Sequence, residues 1–284
     1  MIPAAFDYVA PATVDEALTL LSQGGDDAKI IAGGQSLLPV LKLRLAAPEL
    51  LIDLAKIDSL RGVRDDGDAI VIGAMTPHFE VVADPLVREH ASLLAECVAT
   101  VADPQVRHRG TLGGACAHAD PASDIPAPVL ALDAVLTLAG PGGRRTVAAA
   151  DFFTDIFTTA LGEDEILTDI RVPKHTGWGS AYEKFVRVSQ QWAIVGVAAT
   201  VRTDGDSIAE ARIALTNMGS TPIRARAAEQ ALAGVRADAD SVAAALTGVA
   251  EGTAPPTDLN GDPEYRRQLA AVLARRAVLS AAGR

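Results

Sequence analysis

Cysteine is scarce: the 284 residues contain only Cys97 and Cys116. An iron–sulfur cluster takes about four thiolate ligands, and a disulfide framework takes spaced pairs, so the chain carries neither. Long apolar runs are missing too. No stretch approaches the roughly 20 residues that span a bilayer, and residues 1–11 contain no basic segment leading into an apolar one. The expectation is a cytoplasmic protein with no integral membrane segment. The five histidines, at 78, 90, 108, 118 and 175, lack the close helical spacing of a zinc enzyme, so no metal site is expected. Positive charge is in deficit, with 25 Lys and Arg against 36 Asp and Glu. A net charge of -11 repels phosphate backbones and anionic lipid, which argues against nucleic acid as a partner. The spaced GxGxxG dinucleotide fingerprint does not occur.

What is present is enough chain for two domains and for a core that holds a bulky ligand. Hydrophobic residues at 49% against 21% charged predict a chain that folds throughout. Thr13 and Glu16 form a capping box for a helix over 13–23, stopped by Gly24-Gly25. A strand over 29–32, a helix-compatible segment over 37–45 and a strand over 51–54 follow. A further strand covers 69–72, with Thr76-Pro77 as cap and first position of the next helix. Apolar residues from Leu86 to Val101 recur at helical spacing and place Cys97 in a core. A hairpin is predicted over 135–148 around Gly140 to Gly143, then a strand over 165–172. The turn-rich segment 174–179 marks a boundary between residues 1–176 (two subdomains, about 1–55 and 56–176) and 177–284. Beyond it lie three antiparallel strands, over 182–188, 193–202 and 208–216, and helices near 224–233, 239–250 and 263–282.

Two segments carry the chemistry. Ala32-Gly33-Gly34-Gln35-Ser36 stands where a strand ends and a helix begins, where successive N–H groups and the helix dipole favour a phosphate. By itself a Gly-Gly pair is more often only a structural turn. The second segment is Arg109-Gly110-Thr111-Leu112-Gly113-Gly114, followed by Ala119-Asp120-Pro121-Ala122-Ser123-Asp124. It reads as a long loop rich in glycine and hydrogen-bonding groups, able to wrap a ligand. Asp124 is also a candidate N-cap for a helix running to Leu132.

AGGQSLLP at 32–39, paired with TLGG and ADPASD within 111–124, resembles the two flavin-binding signatures of the FAD-carrying medium subunit of the carbon monoxide dehydrogenase and xanthine dehydrogenase family of molybdenum hydroxylases. The likeness extends over IGAMTPH at 72–78, ADPQVRHRGTLGG at 102–114, EILTDIRVP at 165–173, AYEKFVRV at 181–188 and the helical tail near 265–276, and so covers nearly the whole chain.

The resemblance implies an α+β fold: a vanillyl-alcohol-oxidase (PCMH) type FAD-binding domain, then a small domain with a three-stranded antiparallel sheet and a helical bundle. It implies that Ala32, Gly33, Gly34, Gln35, Ser36 and Leu37 hold the FAD diphosphate. Thr76, Gly110, Thr111, Gly113, Gly114, Ala115, His118, Asp124, Leu167 and Lys184 take other parts of FAD. Trp192 either stacks beside the isoalloxazine or fills the interdomain core. Many relatives carry asparagine where this chain has Ala115, so one side-chain hydrogen bond to FAD is expected to be missing. The neighbouring Cys116 is expected as a small buried filler.

The implied partners are a large subunit with the molybdenum cofactor and a small subunit with 2Fe-2S clusters, in a dimer of heterotrimers. The implied role is electron transfer from those clusters to an external acceptor. A stand-alone flavin oxidoreductase of the same fold is the second reading, and no obvious group of acid, base and nucleophile after residue 176 supports it. A scaffold that has lost its flavin is the third.

Overall fold

The structure is a computed structural model that describes residues 2–284. Three parallel strands open the fold, in the order Asp7–Val9, Leu50–Asp53, Ala28–Ile31. The helix Val14–Gly24 packs Ala17 and Leu21 against them, capped as expected by the Thr13 hydroxyl, which accepts from Glu16 N at 3.2 Å. After Ala28–Ile31 the chain turns through Gly33-Gly34 into the helix Leu37–Lys42. This helix stops short of the expected residue 45. Leu43 and Leu45 are 57% and 74% exposed, and Arg44 takes φ 57°, so no apolar contact extends the helix.

A five-stranded antiparallel sheet follows, in the order Val63–Asp66, Ala69–Gly73, Ile166–Pro173, Val135–Gly140, Gly143–Ala148. Its buried residues, among them Ile72, Leu136 and Ile170, share one core with the helices Pro85–His90, Ser92–Ala99 and Pro126–Ala131. The single helix predicted from Leu86 to Val101 is broken at Ala91, with φ -143° and ψ 46°. There the His90 carbonyl accepts from His175 N at 2.8 Å, a long-range bond that competes with continuing the helical ladder. Thr76-Pro77 does not open a helix as predicted. Pro77 is extended and bridges Thr111, and the helix starts at His78, because Thr76 O and His78 N are paired with Leu112 N and Gly110 O.

A four-stranded sheet runs Gly179–Phe185, Val195–Asp204, Ser207–Thr216, Ile223–Arg224, antiparallel throughout; the last two-residue strand adds to the three predicted. The helices Arg226–Leu232, Ala239–Ala245 and Pro263–Ala281 share a core with it. The second of these ends before the expected residue 250. Ala198 and Ala214 of this sheet instead join the core of the five-stranded half, so the two halves meet through small side chains.

Arg266 is wholly buried and donates to the carbonyl of Ile194 and, at 2.7 Å, to Asp258 Oδ1. It therefore fixes the start of the Val195–Asp204 strand from the long helix. Asp258 is partly exposed, so the cost of losing Arg266 comes from the cavity it leaves and from the lost hydrogen bond to the Ile194 carbonyl, about 3 kcal/mol together. Arg266→Ala is expected to lower the urea unfolding midpoint by the equivalent of that loss, with the slope unchanged.

Candidate functional site

The two glycine-rich segments touch. Gly33 lies so close to the second segment that a Cβ would overlap the Arg109 carbonyl oxygen and stand 2.7 Å from Gly110 Cα. Gly114 faces back, since a Cβ there would sit 3.3 Å from Ala32 Cβ and 2.7 Å from Thr111 Oγ1. Glycine is required at 33 by main-chain proximity, whereas at 114 a Cβ would crowd the capping hydroxyl of Thr111. Gly34 is required by its backbone angle instead, at φ 71°.

The second segment is not the loop the sequence predicts. Thr111 caps a helix over Leu112–His118, its hydroxyl accepting from Gly114 N at 3.1 Å. Gly113 N donates to Ala74 O at 2.9 Å, and Ala74 N donates to Thr168 O at 2.9 Å. A Cβ on Gly113 would lie 2.7 Å from Ala74 Cα, so glycine there lets the helix start press onto the strand that bears Leu167. Local composition suggested a loop because glycine disfavours helices; the tight packing on Ala74 overrides that preference.

Among the described residues no acceptor takes the main-chain N–H groups of Gly33, Gly34, Gln35, Ser36 or Leu37. The Gln35 side chain turns back to the Gly33 carbonyl at 3.1 Å. A row of unpaired donors where a strand runs into a helix is a concave anion site, and a diphosphate has the charge and the acceptor oxygens to fill it. Beside it opens a cleft of about 180 Å³ lined by Ala32, Ile57, Arg61, Met75, Arg109 and Thr111. The donor set thus fits FAD.

A second cluster lies at the seam between the halves. Asp124 is buried, and its Oδ2 receives Lys184 Nζ at 2.7 Å. Its Oδ1 receives the Tyr182 hydroxyl at 2.7 Å, and Lys184 also donates to Thr100 O at 3.3 Å. Burial pushes the Asp124 carboxyl above its ordinary value, while Lys184 and Tyr182 pull it back. Burial, reinforced by the Asp124 charge, pushes the Tyr182 phenol well up. Asp124 is not the N-cap that the sequence allowed: the helix Pro126–Ala131 has Ile125 at that position and no side-chain cap. The carboxylate is engaged by the other half of the chain instead.

Other expected positions divide. Leu167 is buried, opposite Leu138 at a bulge in its strand. The Thr76 hydroxyl is occupied by Gly62, and its carbonyl holds Leu112 N. His118, partly buried, closes its helix 5.1 Å from the Phe157 ring. Ala115 is partly buried, whereas Cys116 lies in the core with its thiol pushed up to about 12 by burial. Trp192 is 56% exposed, so it does not fill an interdomain core. It stands in the connection between Gly179–Phe185 and Val195–Asp204, which Ile194 N closes on Phe185 O at 2.9 Å.

Sequence reasoning missed Tyr182, although its position two residues before Lys184 puts both on one strand face. It also missed Asn217, whose N donates to Pro121 O at 3.0 Å and whose side chain donates to Ala193 O at 2.8 Å. Asn217 thereby ties the 119–124 segment to the Trp192 connection, and no local pattern announces that.

His78 lies under the second glycine segment, buried, with Nδ1 unpartnered and the ring held at about 4 by desolvation and then by Arg107. A value depressed from 6.5 means the neutral ring stabilises the fold above 6.5, and that stability is lost as pH falls toward about 4. The loss amounts to about 3 kcal/mol at most. Urea unfolding followed across this window is expected to show an acid-side loss in wild type that His78→Leu reduces by that order. Gly33→Ala is expected to lower stability at neutral pH by roughly 1–3 kcal/mol, read in the same assay, because the Arg109 main chain must retreat.

Residues 4–175 match the family described as the FAD binding domain in molybdopterin dehydrogenase, and residues 180–281 match the CO dehydrogenase flavoprotein C-terminal domain. The chain is 44% identical over 284 residues to the carbon monoxide dehydrogenase medium chain of Hydrogenophaga pseudoflava, covering 99% of this chain and 98% of that one. A solved carbon monoxide dehydrogenase from that organism, lacking the Mo-pyranopterin moiety, superposes with a TM-score of 0.95 at 46% identity over 99% of this chain and 98% of that one. Quinoline 2-oxidoreductase from Pseudomonas putida 86 gives a TM-score of 0.95 at 35% identity over 100% and 99%. The paired glycine segments, the anion-binding N–H row and the two matched domains together make this chain a member of the FAD-binding medium-subunit family of the carbon monoxide dehydrogenase and xanthine dehydrogenase type molybdenum hydroxylases, an oxidoreductase subunit with FAD as its cofactor.

Proposed function

We propose that the chain carries electrons between the 2Fe-2S clusters of a small partner subunit and an external acceptor, while a large subunit with the molybdenum cofactor oxidises the substrate. The observation that carries this reading is the unpaired N–H row from Gly33 to Leu37, pressed against the Arg109–Gly114 segment in a chain that matches FAD-binding medium subunits along its whole length. FAD, when bound, accepts electrons singly and releases them singly or in pairs.

The chain's own residues bind and orient. The N–H groups of Gly33, Gly34, Gln35, Ser36 and Leu37 take the diphosphate, and Ala32 and Thr111 wall its cleft. Gly113 lets the helix start sit on Ala74 and Gly110 passes over His78, which sets the turn that Gly114 completes against Ala32. Ala115 and His118 continue that helix as further candidate contacts. Asp124 and Lys184 would hold another part of FAD, with Leu167 and Trp192 as further candidate contacts. Thr76 acts through its carbonyl, which sets Leu112 and with it the capping turn. Residues 1–176 form the FAD-binding domain in this reading, and 177–284 form a carboxy-terminal domain that closes the seam.

The assembly proposed is a dimer of heterotrimers in the cytoplasm. Among the described residues no helix is long and apolar enough to cross a membrane. The substrate is set by the large subunit in this reading: the relatives named above are a carbon monoxide dehydrogenase and a quinoline 2-oxidoreductase, although their matched chains share this fold.

The chain purified alone is expected to be yellow or to take up FAD. Its flavin absorbance is expected to bleach when a reduced 2Fe-2S partner subunit is added. Asp124→Ala is expected to weaken FAD binding about 10- to 100-fold, as loss of a charged hydrogen-bond acceptor requires. Turnover of an organic donor by the chain alone, without partners, would replace this reading with that of a self-sufficient flavin oxidoreductase.

A further inference from the structure

Tyr182 and Lys184 alternate with Glu183 on the Gly179–Phe185 strand, so the pleat directs both side chains at Asp124. The Tyr182 hydroxyl and the Lys184 ammonium each take a different carboxylate oxygen, both at 2.7 Å. Room for the hydroxyl is made by Gly196, the register partner of Lys184: a Cβ there would lie 2.5 Å from the Tyr182 oxygen. Thr216 Oγ1 stands 3.5 Å from the same oxygen, a weaker contact. From the Ser92–Ala99 helix the Cys97 thiol donates to the Asp124 main-chain oxygen at 3.3 Å, and Glu96 lies on the same helix. Thr100 O, just beyond that helix, holds Lys184.

A carboxylate has about four acceptor positions, and these two donors occupy one on each oxygen. Burial favours the neutral acid, which has lost part of that acceptor capacity, so the hydroxyl and the ammonium together decide whether Asp124 stays ionised. Tyr182 has its single proton committed to this bond, in a space that only a glycine at 196 leaves open.

We propose that Tyr182 is a positioning residue for FAD, holding Asp124 Oδ1 so that the carboxylate stays charged and aimed, with its free lone pairs and the remaining Lys184 donor available to the cofactor. This rests on the reading of Asp124 and Lys184 as FAD contacts.

The test is the FAD dissociation constant of the full-length apo chain, from mildly acid to mildly alkaline pH, for wild type, Tyr182→Phe, Gly196→Ala and Asp124→Asn. Urea unfolding of each apo chain is followed alongside. Tyr182→Phe is expected to bind FAD about tenfold more weakly. The deficit should be largest at the acid end, where Asp124 without its hydroxyl partner takes up a proton and the variant converges on Asp124→Asn. Gly196→Ala, which displaces the hydroxyl, should show the same pH trend and carries the test if Tyr182→Phe does not fold. Wild-type affinity in Tyr182→Phe at every pH, with Asp124→Asn weakened, would overturn the proposal and leave the site reading standing. A pH-independent weakening that merely follows lost unfolding stability would make Tyr182 a core filler and overturn it too. Wild-type affinity in Asp124→Asn would remove the site reading, and this inference with it.

Discussion

The close approach of the Gly33 main chain to the Arg109–Gly110 main chain is the constraint on which the site rests. Gly33 follows a strand of the parallel unit, whereas Arg109 and Gly110 precede a helix seated on the five-stranded sheet. Any side chain at 33 would hold these parts away from each other. With none, Ala32 and Thr111 share one cleft, and the unpaired N–H row begins directly after Ala32. Main-chain donors that no protein acceptor takes must be met by water or a ligand, so five in succession form a place able to receive an anion.

The seam at Asp124 obeys a different economy of forces. A buried ion pair contributes little net stability, because desolvation opposes the attraction, but it fixes geometry closely when further hydrogen bonds complete it. Here Asp124 belongs to the half that carries the glycine segments, and Lys184 and Tyr182 belong to the antiparallel sheet. Asn217 adds a second tie by joining the Pro121 carbonyl to the Ala193 carbonyl. Asp124 is therefore held by residues from both matched regions of the chain, and neither region alone sets its geometry.

Much of the fold was legible in periodicity. The Thr13 cap, the hairpin around Gly140 to Gly143 and the long Pro263–Ala281 helix are local features whose stabilising groups lie within a few residues of one another. The two departures nearest the site have long-range causes. The helix over 86–101 breaks because His175, far along the chain, takes the His90 carbonyl. The Leu112–His118 helix forms through glycines that favour a loop, because Ala74 packs directly against Gly113. Trp192 is apolar and was a fair candidate for burial, yet nothing in its connection supplies a partner to cover it.

The sequence alone determined which segments are able to bind an anion, since glycine content and strand-to-helix order are local properties, and their motifs pointed to the family and to FAD. Only the tertiary structure decided that the two segments abut and that Asp124 meets Lys184 and Tyr182 instead of capping a helix. Those outcomes depend on distances between residues separated by 58 or more positions, as in the Tyr182 to Asp124 bond, and such distances are fixed by packing of the whole chain.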